Sequence, residues 1–141
     1  MSTSGFSRAE REAMKARAEE LKEGRGGNKR GKEAQACLEA IAEMADTDRL
    51  LAERIHAIVS EQAPELLPKT WYGMPAYANE DGKAVCFFKA SRKFGERYST
   101  LGFNDAAQLD DGTMWAKEFA LTALGDQEVA QIEKLVKKAV S

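Results

Sequence analysis

The stretch KTWYGMPAY, residues 69–77, marks the point at which this 141-residue chain changes from helical to strand-forming sequence. Aromatic residues surround Gly73 and Pro75, and both of these residue types weaken a β-ladder, because glycine packs no side chain and proline lacks an amide hydrogen. We therefore expect an edge strand here, or a strand with a bulge at residues 73–75. Either arrangement would bend the strand and turn its side chains into a concavity.

Helices are predicted before this stretch. The first begins at Ser7, because SRAE is a capping box in which Ser7 and Glu10 exchange side-chain to backbone hydrogen bonds. The segment GRGGNKRGK, residues 24–32, follows as a linker, since each glycine inside a helix costs about 1 kcal/mol relative to alanine. Apolar residues at helical spacing then predict two more helices, at roughly 32–45 and 48–63.

After this stretch the chain predicts an antiparallel meander that a last helix closes. Turn-forming segments separate four predicted strands at about 70–78, 83–90, 96–103 and 114–122. The pair Asp81-Gly82 between the first two strands is a hairpin signal. The fold class is therefore α+β: an antiparallel sheet of about four strands, with N-terminal helices and one C-terminal helix packed against it. We divide the chain into an N-terminal helix and Gly/basic linker, 1–31, and an α+β domain, 32–141.

Composition argues against several kinds of partner. The 21 basic and 23 acidic residues leave a net charge of -2, so binding to nucleic acid is not expected. No run of about 20 apolar residues predicts a membrane span, and the N-terminus lacks the apolar region of a signal peptide, so we expect a cytoplasmic protein. Cys37 and Cys86 lack CxxC spacing and predict buried, reduced thiols. We expect no structural cofactor and no metal.

Two motifs that could carry chemistry are incomplete. Gly26, Gly31 and Lys32 match the GxxxxGK of a phosphate-binding loop, but Glu33 stands where Ser or Thr would hold magnesium. His56, the only histidine, lies at the flank of a helical stripe, and no nucleophile signature accompanies it. We therefore assign no catalytic residue and expect a protein that is not an enzyme.

Aromatic side chains near the bent strand predict a ligand pocket. The second strand places Phe87 and Lys89 on one face, and these could join the aromatic residues of the first strand. An aromatic pocket with a cationic or phenolic rim suits a small organic ligand or an anionic peptide end. The alternative is that these aromatic residues are only the core of a small domain. The candidate ligand-binding residues are Trp71, Tyr72, Met74, Pro75, Tyr77, Phe87 and Lys89.

Four segments, WYGMPAY, GKAVCFFKAS, RYSTLGF and FALTAL, are followed by a basic-ended helix. In this order they resemble the YdhG-like family of small bacterial domains of unknown function, over roughly residues 48–140. The resemblance implies an α+β fold with an antiparallel sheet flanked by helices. The residues that it marks are Tyr72, Gly73, Met74, Pro75 and Tyr77, then Phe87 and Lys89 of the second strand. Some members are labelled iron chaperones with a frataxin-like role, although relatives have a histidine where this chain reads KFGERYSTLGF.

Two hypotheses for function follow, and a third possibility is self-association through an exposed edge of the sheet or through the polar first helix. The first is a cytoplasmic, non-catalytic domain that binds a small molecule or a partner segment through the bent strand and its aromatic face. The alternative is an iron-binding chaperone that donates Fe(II) through exposed carboxylates such as Asp105, Asp110 and Asp111. Carboxylate oxygens are ligands of hard cations, but aspartate is also common in turns for its local hydrogen bonding.

Overall fold

The computed structural model describes residues 7–23 and 28–141, and this part of the chain forms an α+β domain. Its elements are α1 (Arg8–Glu23), α2 (Lys29–Ala42), α3 (Asp46–Gln62), β1 (Leu67–Trp71), β2 (Met74–Ala78), β3 (Ala84–Lys89), α4 (Ser91–Phe94), β4 (Ser99–Phe103), β5 (Glu118–Leu121) and α5 (Asp126–Ala139). The strands form one antiparallel sheet in the order β1-β2-β3-β4-β5. The predicted fold class is confirmed, with five strands among the described residues where about four were predicted.

The additional strand arises from a tight turn inside WYGM. Tyr72 has φ 54° and Gly73 has φ 78°, and Trp71 pairs directly with Met74. Two central residues with positive φ are typical of a type I′ turn, whose twist matches that of a two-residue β-hairpin. The predicted bulge at residues 73–75 is therefore wrong, because the glycine reverses the chain instead of bending one strand.

Pro75 lies in β2, between β1 and β3, and not in an edge strand. It is opposite Thr70 of β1, while the pairing of β2 with β3 begins one residue later, at Ala76 and Phe87. Pro75 thus lies just outside the segment in which β2 pairs with β3, so its lack of an amide hydrogen removes no hydrogen bond from that ladder. The expectation of an edge strand applies to β1 instead.

A β-bulge does occur, but farther along the chain. Tyr77 pairs with Cys86 and Ala78 pairs with Ala84, so β3 has one extra residue, Val85, at this point. Both Val85 and Cys86 are consequently buried in the same core cluster, although they are neighbours in the chain. The bulge explains why β3 departs from strict alternation.

One face of the sheet, here called the inner face, carries the main core. Side chains from α2, α3 and α5 pack there against residues of the strands, including Phe88, Leu101 and Phe103. The largest buried helical residues are Ile41, Ile55, Ile58, Val59, Ile132 and Val136. The free cysteines Cys37 and Cys86 are both buried, as predicted.

The opposite face, here called the outer face, carries a smaller cluster. Met74, Ala76, Ala84 and Phe87 form it, with Trp71 and Phe94 at its margin. Helix α1 contacts β1 and α4, and its Ala13 is buried. The capping box that begins α1 is confirmed: the Ser7 amide donates to Glu10 Oε1 at 2.8 Å, and the Glu10 amide donates to Ser7 Oγ at 3.0 Å.

The segment between the first two helices is shorter than predicted. Helix α2 begins at Lys29, inside the predicted linker, so Gly31 and Lys32 of the phosphate-loop-like motif belong to its first turn. Residues 24–27 of that linker lie outside the described residues. None of the helices within 7–23 and 28–141 has the length and apolar character that a membrane span requires.

Candidate functional site

A cavity of about 690 Å³ lies between helix α1 and the outer face of the sheet, and we call it the outer cavity. Its floor is formed by strands β3, β4 and β5, through Phe87, Thr100 and Ala120 among others. Helix α1 contributes Ala13 and Met14 above this floor. Phe94 of α4 and the residues that follow it, Glu96 and Tyr98, form one end. The volume lies within the range of small-molecule sites, about 300–1,000 Å³.

A row of paired residues crosses the floor of the outer cavity. Phe87 pairs with Gly102, and Gly102 pairs with Glu118 on the edge strand β5. A Cβ atom at position 102 would lie only 2.2 Å from Cζ of Phe87, so the aromatic ring rests directly over the glycine backbone. Glycine is therefore needed at position 102, because any side chain there would displace the ring of Phe87.

Four of the seven predicted ligand-binding residues line the outer cavity: Tyr72, Met74, Phe87 and Lys89. A fifth, Trp71, supports it, with its ring 5.3 Å from that of Phe87 and 5.0 Å from that of Tyr72, centroid to centroid. The turn at Tyr72 and Gly73 brings these residues together on the outer face, since Trp71 and Met74 are cross-strand partners.

Pro75 and Tyr77 do not line the outer cavity. Both side chains are almost fully buried, and Tyr77 belongs to the core cluster of the inner face. Side chains alternate between the faces of a strand, so Met74 and Ala76 face outward while Pro75 and Tyr77 face inward. Pro75 and Tyr77 are therefore core residues and not ligand-binding residues of this cavity. A core position was the alternative that the sequence left open.

Tyr77 joins a polar group inside the main core. Its hydroxyl oxygen lies 2.9 Å from Nδ1 of His56 on α3. Burial raises the pKa of Tyr77 well above its ordinary value, and the nearby Cys37 and Cys86 thiols and the hydrogen bond with Cys37 act in the same direction. Burial also raises the pKa of Cys37 to about 11, which disfavours the thiolate. The group stabilises a packed interior and supplies no activated nucleophile.

The charge of Lys89 is already balanced within the site. Its Nζ lies 3.0 Å from Glu96 Oε2 and 5.3 Å from the centroid of the Phe94 ring. Both side chains remain partly accessible, so this ion pair adds little to stability. The ion pair does, however, neutralise Lys89, the cation that the sequence suggested as the partner of an anionic group.

Helix α1 is attached to the hairpin through Glu20. One carboxylate oxygen of Glu20 accepts a hydrogen bond from the Tyr72 amide at 3.1 Å, and the other accepts one from the Gly73 amide at 3.0 Å. Arg17 extends this contact, with its guanidinium 3.6 Å from Glu20 and 5.7 Å from the Tyr72 ring centroid. These contacts hold the strained turn and place α1 above the outer cavity.

Asp48 fixes the other end of the cavity by capping α4. Its buried carboxylate accepts hydrogen bonds from Ser91 Oγ at 2.9 Å, Ser99 Oγ at 2.9 Å and the Arg92 amide at 3.0 Å. Burial alone would raise the pKa of Asp48, but these hydrogen bonds outweigh it and lower the pKa. Asp48 thereby joins α3 to the segment that carries Phe94.

Sequence reasoning missed several residues of the site. Glu118 and Ala120 could have been assigned to one face, because KEFAL alternates polar or small residues with Phe119 and Leu121. Thr100, Phe119 and Tyr98 also line the cavity, and of these only Tyr98 could be considered from the sequence, in a register that the sequence does not fix. The members on α1 and near α4 left no comparable signal, since their approach to the sheet depends on contacts between distant segments. These are Glu10, Ala13, Met14, Phe94 and Glu96.

The aspartates considered for iron lie away from this cavity, in the segment between β4 and β5. Asp105, Asp110 and Asp111 are all exposed. Within the described part of the chain, no three or more His, Cys, Asp or Glu side chains are grouped so that they could hold a metal ion.

No protein-family model, no curated protein and no solved structure matches this chain.

Proposed function

We propose that this protein is a non-catalytic binding domain that takes a small organic molecule into the outer cavity. The observation that carries the proposal is the cavity itself: about 690 Å³ between a single covering helix and an aromatic sheet face. Apolar walls with a few polar groups at defined positions are typical of small-molecule sites. Phe87 and Met74 supply the apolar surface, and the Tyr72 ring lies beside them.

The construction of the floor supports a binding role. The ring of Phe87 rests on Gly102, packs beside Trp71 and is only 7% accessible, and its remaining accessible part borders the cavity. Large exposed hydrophobic residues at the margin, Met14, Tyr72 and Tyr98, are 44%, 37% and 37% accessible, so a ligand in the cavity could bury apolar surface that water now covers.

The proposal extends to the setting of the protein. We infer that it acts in the cytoplasm, since its two cysteines are buried and unpaired although both lie in the same core, as is usual in a reducing compartment. Membership of the YdhG-like family remains a proposal that rests on the sequence segments quoted above.

A fragment screen by two-dimensional amide NMR tests the binding function. We expect fragments with one aromatic ring to shift the amide signals of Phe87, Thr100 and Ala120, which line the floor. The variant Ala120→Phe should abolish these shifts by filling the cavity while leaving a dispersed spectrum, because residue 120 is exposed and loses no packing.

Ala130→Phe is the matched control, since Ala130 is an exposed residue of α5 and does not line the cavity. It should retain all fragment shifts. The proposal is wrong if no fragment shifts the floor residues, or if fragments bind Ala120→Phe and the unmodified protein equally well.

A further inference from the structure

The charges around the outer cavity are unbalanced. Among the described residues that line it, three bear carboxylates, Glu10, Glu96 and Glu118, and one bears a cation, Lys89. Because Lys89 pairs with Glu96 at 3.0 Å, their charges cancel. The formal charges of Glu10 and Glu118 remain in the lining itself.

Three cations of the described part of the chain lie behind lining rings: Arg17 against Tyr72, Lys93 against Phe94 and Arg97 against Tyr98. Arg17 is paired with Glu20, and Lys93 donates to the Gly73 carbonyl. The excess negative charge is therefore local to the floor at Glu118, and there it complements a positively charged ligand.

The two remaining carboxylates differ in their availability. Glu10 is engaged in the capping box of α1, where Oε1 accepts a hydrogen bond from the Ser7 amide at 2.8 Å. Hydrogen bonds with the backbone and side chain of Ser7 lower the pKa of Glu10, which keeps it in its charged, capping form. In the described part of the chain, the Glu118 side chain has no hydrogen bond or ion pair. Glu118 is thus the carboxylate that a ligand can engage.

Glu118 also lies beside an aromatic face. Gly102 is its cross-strand partner, and the ring of Phe87 covers that glycine. Paired Cα atoms of antiparallel strands are about 4.5–5.5 Å apart. A cation over the Phe87 ring would therefore stand one strand spacing from the backbone of Glu118, within reach of its side chain. Aromatic rings attract cations through their negative faces, and a nearby carboxylate adds to this attraction.

We propose that the ligand of the outer cavity is a small organic cation, an amine with an apolar body, whose charge lies between the Phe87 ring and the Glu118 carboxylate. This inference rests on the proposed binding function and names its ligand class. It replaces the anionic group suggested by Lys89 in the sequence, since Glu96 already pairs with that lysine. A free small molecule matches the volume of the cavity, about 690 Å³.

Three probes that share a phenyl group and a short chain test this inference: phenylpropylammonium, phenylpropanol and phenylpropionate. Their affinities are measured by NMR titration of the floor residues at low ionic strength. We expect the ammonium probe to bind about tenfold more tightly than the alcohol, with the carboxylate weakest. Added salt should reduce the advantage of the ammonium probe.

The variant Glu118→Gln should reduce the preference for ammonium over alcohol to about threefold or less, without weakening alcohol binding. Glu61→Gln is the matched control, because it removes the same charge from an exposed position on α3 and does not line the cavity. It should leave the preference unchanged. Equal losses in the two variants would overturn the role of Glu118, since they would indicate only the overall charge of the protein.

The outcomes separate this inference from the proposed function. If the alcohol or carboxylate probe shifts the floor residues with an affinity equal to or above that of the ammonium probe, the ligand class is wrong and the binding function stands. If no probe shifts the floor residues while the fragment screen finds ligands there, the inference fails alone. If both experiments leave the floor residues unshifted, both proposals fail.

Discussion

The inner and outer faces of the sheet use the same five strands but are covered very differently. On the inner face, three helices bury Phe88, Leu101 and Phe103 in one continuous core. On the outer face, α1 leaves a cavity of about 690 Å³ beside Phe87. Side-chain alternation is the reason for this difference, because neighbouring residues of one strand contact the core and the cavity in turn.

Phe88 and Phe87 give the largest expected contrast between the faces. Phe88→Ala should lower the free energy of unfolding by about 3–5 kcal/mol, because it leaves a closed space in the main core. Phe87→Ala should cost about 1–3 kcal/mol, since its ring borders a cavity into which the space can open. Urea unfolding followed by circular dichroism measures both values. Equal costs would mean that the outer face is packed as tightly as the inner face.

The attachment of α1 gives the next largest effect. Glu20→Ala removes the acceptor of the Tyr72 and Gly73 amides, and hydrogen bonds to a charged group contribute about 1.5–3 kcal/mol. We expect amide hydrogen exchange in α1 to accelerate by about tenfold or more, with little change in α3 and α5.

Glu19→Ala is the control for this experiment, because Glu19 is the preceding residue of α1 and is exposed. Amide hydrogen exchange in α1 of the Glu19→Ala variant should match that of the unmodified protein. Should exchange in α3 and α5 accelerate as strongly as in α1 in the Glu20 variant, α1 would be part of the main cooperative unit and not a separately attached cover.

The smallest expected effect concerns His56, whose ring lies within hydrogen-bond distance of the Tyr77 hydroxyl in the core of the inner face. Burial lowers the pKa of His56 below its ordinary value of about 6.5, so the unfolded chain binds a proton more readily than the native protein does. Stability should therefore fall as the pH drops through about 6.5 toward the lower native pKa. Urea midpoints at about pH 7.5 and about pH 5.5 measure this change.

His56→Gln tests the assignment, because His56 is the only histidine of the chain. The variant should lose most of the pH dependence in this window. Asp48 also has a lowered pKa, and its contribution is lost only at more acidic pH, as the pH falls below about 3.8. If the urea midpoints of the variant differ between the two pH values as much as those of the unmodified protein, other groups govern the pH dependence of stability.

Local sequence predicted much of the fold. The Ser7 capping box, the turn at Asp81-Gly82 and the inward residues of α3 all depend on residues close together in the chain. Gly82 has φ 80°, as a turn glycine does, and the Asn79 side chain accepts hydrogen bonds from the Asp81 and Lys83 amides. Such interactions are short-range, so the pattern of residue types is sufficient to indicate them.

The turn at Tyr72 and Gly73 could not be predicted in the same way. Type I′ turns favour Asn or Gly at the first central position, whereas a bulky residue with positive φ is strained. In this turn the Tyr72 amide donates a hydrogen bond to Glu20, which lies 52 residues earlier in the chain. No local pattern contains that contact, so the residue pattern predicts one bent strand instead.

The composition of the site follows from that turn. In one continuous strand, Trp71 and Tyr77 would share a face, because their separation is even. In the hairpin, Trp71 is opposite Met74, so Tyr77, three residues after Met74, faces the inner core. The residue pattern alone was sufficient for the α+β class and for the succession of N-terminal helices, antiparallel strands and a closing helix, since these depend on local periodicity. Which aromatic residues border the cavity depends on the hairpin, because a reversal stabilised from α1 exchanges the faces of the residues in β2.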